Sequence, residues 1–311
     1  MSRSLLFHLG LIAVLVALQF VLPTYHQGNL SRIMVLAVYA MGYNIMFGYT
    51  GLLSLGHAMF FTAGMYGTGL AIRLWDFSAG SAFVTGIGVA AVFSVLVGLL
   101  ALRTIGVAFM IVTLMFSQAV FLTLLYFTKY TRGDEGFVIP QTTRQIAGFD
   151  LSDPTIRYFA ALILFATCLM AVWVLVRSKT GRVLIAVREN EERARMLGFD
   201  TWAHKLVAVT LSGTMAGAAG AAYGILFGSV GASFAEVPFS ILPLLYVLLG
   251  GPGTVIGPFV GTLFMFYLRD ISGNFTDAHM LVAGVVLVLL TLYARKGIMG
   301  IVRERWLKWL P

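Results

Sequence analysis

The chain has 311 residues, of which 59% are hydrophobic and only 11% charged, with a formal net charge of +8. A soluble domain carries about a quarter charged residues because its surface faces water, so this composition excludes a soluble enzyme and leaves an all-α, polytopic transmembrane helical bundle. Long continuous apolar runs exclude a β-barrel, and in a membrane protein the basic excess reads as Lys- and Arg-rich cytoplasmic loops rather than as a nucleic-acid surface.

A helix needs about twenty apolar residues to cross the hydrocarbon. Candidate spans lie at 5–23, 31–48, 54–74, 81–101, 104–127, 158–176, 205–228, 237–251, 253–269 and 279–294. Ten spans is the best count within a range of 8–10, and the chain forms a single transmembrane domain over 1–311. The first stretch follows a short basic start but lacks a small-residue cleavage site, so it reads as a retained helix.

Asn44 and the glycine-rich stretch 48–56 interrupt an apolar helix. Broken backbone in a membrane is tolerated mainly beside a cavity or inside protein. Asn44, Ser54, His57, Thr113 and Gln118 are the candidate residues of a translocation path, because lipid penalises polar side chains that face it. His57 either lines that path or satisfies a freed carbonyl. The loop 128–157 balances Lys129, Arg132, Arg144 and Arg157 against Asp134, Glu135, Asp150 and Asp153. It suits a docking surface for a soluble partner or a plain solvated connection.

The single cysteine, Cys168, lies in an apolar run and offers neither a disulfide framework nor a thiol metal site. The segment 177–204 and the tail after the last span are rich in Arg and Lys, which places both on the cytoplasmic side. Six spans precede the segment and four separate it from the tail, so both termini are expected inside. From Val183 to Leu197 the chain reads as one amphipathic helix, with Leu184, Val187, Ala194 and Leu197 near one face. Glu189–Arg193 and Glu191–Arg195 are helix-stabilising pairs, and Gly198 suits a left-handed cap. Such a helix presses a lever into another protein or lies on the membrane surface.

Gly213, Gly217, Gly220 and Gly224 form a stripe on the span 205–228, and Gly253, Gly257 and Gly261 a second ridge. Both let helix backbones approach closely. No acidic residue lies mid-span except Glu236 near an outer end, which argues against proton coupling. No phosphate-binding loop, metal cluster or nucleophile–base set is present, so no catalytic or metal site is assigned and the chain is not expected to be an enzyme.

Three motifs carry a family resemblance. AVRENEERARMLGFD (186–200) resembles the coupling helix of the branched-chain amino-acid ABC permeases of the LivM type. Arg188, Glu189, Asn190, Glu191, Ala194, Leu197 and Gly198 match that family's pattern, while Arg193 stands where alanine is usual. GYNIMFGYTGLLSLGHAMFF (42–61) and GGPGTVIGPFVG (250–261) resemble two further family motifs. TRGDEGF (131–137) departs from its family counterpart by placing Arg132 at a small-residue position. The resemblance implies a permease in the bacterial inner membrane whose coupling helix docks on one of two cytoplasmic ATPase subunits. ATP and Mg would bind on those subunits, and no cofactor on this chain. It further implies a second homologous permease in a heterodimer, a periplasmic substrate-binding protein, and a small polar solute such as a branched-chain or other hydrophobic amino acid. Urea, amides and aromatic acids are carried by related permeases. A stand-alone secondary transporter or channel is the alternative of a different class.

Overall fold

A computed structural model describes residues 3–146, 148–273, 284–285, 288 and 296–306. Helices α1 (Arg3–Val21), α2 (Thr24–Asn44), α3 (Ala58–Trp75), α4 (Ala79–Ala101), α5 (Val107–Tyr126), the short α6 (Thr128–Thr131) and α7 (Pro154–Arg177) precede the charged segment. The segment itself holds α8 (Lys179–Glu189) and α9 (Glu191–Met196). After it come α10 (Thr201–Phe227), α11 (Val237–Gly250), α12 (Gly257–Gly273) and α13 (Gly297–Arg305). Among the described residues, six helices are long and apolar enough to cross a membrane: α1, α2 with its extension to Tyr49, α4, α5, α7 and α10. The chain is a polytopic helical bundle. Its only strands among the described residues are two-residue pairs, β1 (Phe137–Val138) with β4 (Ser229–Val230) and β2 (Gln145–Ile146) with β3 (Phe149–Asp150). The predicted span 279–294 lies almost entirely outside the described residues, as do Arg295 and Lys308 of the basic tail.

Helix α3 matches the spans in length but falls below them in hydropathy, because glycine, threonine and tyrosine interleave its apolar residues. Its position explains the composition. From Ala58 to Ile72 no residue is exposed, and α4 and α10 lie against it. The contact is backbone on backbone: a Cβ on Gly64 would fall within 2.6 Å of the Gly217 Cα. One on Gly220 would meet the Phe61 carbonyl, and one on Gly86 would lie 2.6 Å from the Gly64 oxygen. Gly213 and Gly217 face Phe60 and the small residues Ser94 and Ala90 of α4. Dispersion between closely apposed backbones holds membrane helices together where lipid removes the hydrophobic drive. Gly224 has room, with its nearest neighbours at 3.6 Å.

Helices α1 and α5 sit on the rim with most side chains turned outward. Trp173 donates from Nε1 to the Ser4 hydroxyl at 2.9 Å, and the Tyr158 hydroxyl donates to the Leu15 carbonyl at 2.7 Å, fastening α1 to α7.

The glycine-rich stretch 250–257 separates two helices rather than interrupting one. Gly251 and Gly253 have φ of +117° and +71°, values a right-handed helix cannot contain. Gly253 is therefore not part of the predicted ridge, which reduces to Gly257 against Gly250 and Gly261 against the Tyr246 carbonyl. Helix α2 starts at Thr24, seven residues before the predicted 31, with Pro23 in extended conformation as its cap.

The two ends of the bundle are distinct. At one end Arg73 of α3 donates to the Tyr130 carbonyl at 2.9 Å, and β1 pairs with the strand that follows α10. At the other end the charged segment meets the end of α2, which is tied in turn to the loop between α11 and α12.

Candidate functional site

The end of α2 is broken in a defined way. After Asn44 the last turn widens into a π-helical turn, Ile45–Tyr49, and the chain then runs without helix to His57. Thr50 caps the wide turn by donating to the Ile45 carbonyl at 2.9 Å, and Gly51 turns the chain with φ +78°. Backbone groups freed by the break find partners on neighbouring helices, as buried groups must. The Tyr43 hydroxyl donates to the Ser54 carbonyl at 2.9 Å, and Thr113 Oγ1 accepts from the Leu55 amide at 3.3 Å. Ser54 Oγ accepts from the Gly56 amide at 3.2 Å, and Ser240 Oγ from the Ala58 amide at 3.0 Å.

Fully buried Asn44 spans two broken elements. Its Nδ2 donates to the Thr254 carbonyl at 2.9 Å, and its Oδ1 accepts from the Gly253 amide at 3.0 Å. Two arginines close the same knot from outside. Arg188 of α8 donates through Nη1 to the Gly48 carbonyl, and its stem rests on Gly51 with Cγ 3.3 Å from where a Cβ would stand. Arg303 of α13 donates to the Gly253 carbonyl at 3.1 Å. The charged segment is thus joined directly to the broken helix.

That segment is not the single helix expected over 183–197. Asn190 adopts φ −161° and ψ 102°, which ends α8, and its Oδ1 accepts from the Arg193 amide at 2.9 Å, which starts α9. An asparagine followed by two glutamates is a strong helix start, since the side chain caps a free amide and the acids face the positive end of the helix dipole. Glu189 and Arg193 therefore lie on different helices and do not pair, whereas Arg195 and Glu191 approach to 3.4 Å. At the far end the Gly198 amide donates to Arg195 and the Phe199 amide to Ala194, at 3.0 and 3.2 Å, with Gly198 at φ +87°. This is the Schellman closure. Val183, Val187 and Ala194 pack together, and Leu184 enters the main core. Leu197 does not share that face: it is 70% exposed beside Met196 at 81%, with Phe199 and Trp202 also exposed.

Glu191 also pairs with Lys205 of α10. Partial burial works to raise its carboxyl, but the Lys205 hydrogen bond and charge outweigh it and hold the group below its ordinary value of 4.5. A lowered folded-state value means the contribution is complete above about 4.5 and lost as pH falls through the lowered value. Protection of the 191–199 amides, relative to their intrinsic exchange rates, is expected to hold from pH 7 to about pH 5 and to fall between about pH 5 and pH 3, and Glu191→Gln to flatten that fall. An equal loss of protection in both proteins would exclude the pair as its cause.

Of the candidate path residues, Asn44, Ser54, His57 and Thr113 come together around the break. Gln118 does not join them: it is half-buried on α5 and makes no hydrogen bond among the described residues. His57 lies in an aromatic box, stacked on Tyr39 at 5.2 Å and edge-on to Tyr43 at 5.1 Å. Neither ring nitrogen has a hydrogen-bond partner among the described residues, so His57 caps no carbonyl. Thr113, Ser54, Tyr43 and Ser240 satisfy the freed groups instead. Ser240, Thr254 and Arg303 escaped the sequence reading. Thr254, in the glycine motif 250–257, was the one with a local signal.

Residues 27–291 match the family described as branched-chain amino acid transport system / permease component. The chain is 28% identical to the high-affinity branched-chain amino acid transport system permease protein LivM of Salmonella typhimurium over 331 residues, covering 97% of this chain and 76% of that protein. The LivM protein of Escherichia coli gives the same identity and coverage. A shorter stretch of 114 residues is 29% identical to the autoinducer 2 import system permease protein LsrC of Photorhabdus laumondii, covering 35% of this chain and 34% of that protein.

Proposed function

As the chain belongs to the branched-chain amino acid transport permease family, we propose that it forms half of the membrane path of an ATP-driven importer for branched-chain or other hydrophobic amino acids. The observation that carries the coupling is the bond from Arg188 to the Gly48 carbonyl, which ties the charged segment to the broken end of α2. Met196, Leu197, Phe199 and Trp202 make an exposed apolar tip around the closure at Gly198, suited to a cleft on a partner ATPase. Movement imposed on α8 and α9 by that partner would pass through Arg188 into the π-turn. It would pass through Asn44 into the loop between α11 and α12.

Two ATPase subunits bind ATP and Mg in this reading, and the chain itself hydrolyses nothing. A second permease of the same family completes the path, and a periplasmic binding protein docks at the end formed by 128–150 and β4. The charged segment and both termini face the cytoplasm of a bacterial inner-membrane protein. Five helices long and apolar enough to span, α1, α2, α4, α5 and α7, precede the segment among the described residues, and this orientation counts the enclosed α3 as the sixth crossing.

The test is reconstitution of the chain with its partner permease, ATPases and binding protein in proteoliposomes. Leucine uptake is expected with ATP and not without it. Uptake that persists without ATP would replace this reading with a stand-alone carrier, and uptake of urea but not leucine would replace the substrate.

A further inference from the structure

A second site lies at the opposite end of the bundle from the coupling knot. A cavity of about 360 Å³ opens between α2, α10, α11 and α12. Its wall is apolar and aromatic, including Phe239, Tyr246 and Phe266, but it also carries Arg32, Arg269 and Asp270. Charged side chains on membrane helices are costly unless they meet a partner or line a polar path. These three do not neutralise one another. Among the described residues no carboxylate lies within 4.0 Å of either arginine. Arg32 rests instead over the Phe227 ring, 5.3 Å from its centroid. Asp270 accepts from the Tyr25 hydroxyl through Oδ1 at 2.7 Å, and its Oδ2 accepts no hydrogen bond among the described residues.

We propose that this cavity holds a zwitterionic amino acid by both charged ends, its α-carboxylate on Arg32 and Arg269, its α-ammonium on Asp270, and its side chain on the aromatic wall. The assignment rests on the importer reading above and supplies its recognition site. Guanidinium groups match a carboxylate bidentately. An ammonium gains from a carboxylate and from the faces of Tyr and Phe. A volume near the lower end of the range for small-molecule sites, about 300–1,000 Å³, suits one amino acid rather than a peptide. A neutral amide would leave both kinds of charge without a partner, and a simple amine would leave the arginines without one. Sites built for polar groups reject ligands that lack them. Arg32 meets Phe227 at the end of α10, on the face away from α8 and α9. A solute handed over from outside would be met here before the coupling knot moves.

The experiment uses the full reconstituted transporter with saturating binding protein. Asp270→Asn retains an acceptor for Tyr25 but loses the charge, and it is expected to lower leucine uptake at least tenfold. Arg269→Gln is expected to do the same, while Arg269→Lys recovers most of the loss. In the unaltered transporter, photo-leucine is expected to label the stretches 32–36 or 266–270 by mass spectrometry. Assembled variants that keep uptake within twofold, or label absent from both stretches, overturn the site while leaving the importer intact. An unaltered transporter that carries another solute and no amino acid overturns both.

Discussion

Replacing Arg188 with alanine is expected to cut leucine uptake while ATP hydrolysis by the partner subunits continues. A hydrogen bond to a charged group contributes roughly 1.5–3 kcal/mol, and about 1.4 kcal/mol is tenfold, so the loss should be about ten- to a hundredfold. The reason is geometric. Arg188 is the side chain that leaves α8 and reaches the π-turn, and the Gly48 carbonyl it holds belongs to a turn that regular helical bonding leaves loose. Without it, α8 and α9 can follow an ATPase without drawing the end of α2 along. Arg188→Lys keeps the charge but loses the fork and should fall between the two. The quantity to measure is solute moved per ATP hydrolysed, at matched levels of assembled complex. An unchanged ratio in Arg188→Ala would remove this bond from the coupling route.

The second large effect concerns assembly. Gly64→Ala places a methyl group 2.5 Å from the Gly217 carbonyl carbon and 2.6 Å from its Cα. Neither is a flexible side chain that can move aside, so α3 and α10 must separate along their length. Overpacking of a well-filled core costs about 1–3 kcal/mol and occasionally more. Here the upper end is expected, because the clash is with backbone. Gly220→Ala meets the Phe61 carbonyl and should behave alike, whereas Gly224→Ala finds its nearest neighbours at 3.6 Å and should be close to neutral. Thermal unfolding of the purified complex in detergent separates these outcomes. Equal stability of Gly64→Ala and Gly224→Ala would show that the contact is looser than its geometry.

The sequence made the spans legible because lipid imposes length and hydropathy on each helix separately. The stripe from Gly213 to Gly220 was legible for the same reason, being periodic within one helix. Its partners Gly64 and Gly86 were not, since each is a single glycine whose meaning depends on what faces it. Asn190 was read as a helix residue although its type and the two glutamates after it favour a helix start. The amphipathic pattern running through 183–197 concealed the break. Leu197 was assigned by spacing to one face with Leu184, Val187 and Ala194, and the break at Asn190 resets that spacing. His57 was weighed as a carbonyl partner because it follows a broken helix. Tertiary packing gave that work to Tyr43, whose hydroxyl donates to the Ser54 carbonyl, while the Ala58 amide finds Ser240, 182 residues further along the chain. Arg32 fell inside a predicted apolar span and passed unremarked, since one charge among eighteen residues barely alters the hydropathy of the stretch.

The enclosure of α3 also bears on how the protein is made. A helix of glycine, threonine and tyrosine partitions weakly from water into lipid. The surface that matches α3 belongs partly to α10, which begins 126 residues after α3 ends. On the ribosome, α3 emerges long before its partner exists. It gains little from dissolving alone in the bilayer, and it reaches its final place only when α10 arrives. Insertion and folding of this chain are then one event for α3, and a truncation before Thr201 would leave it without a home.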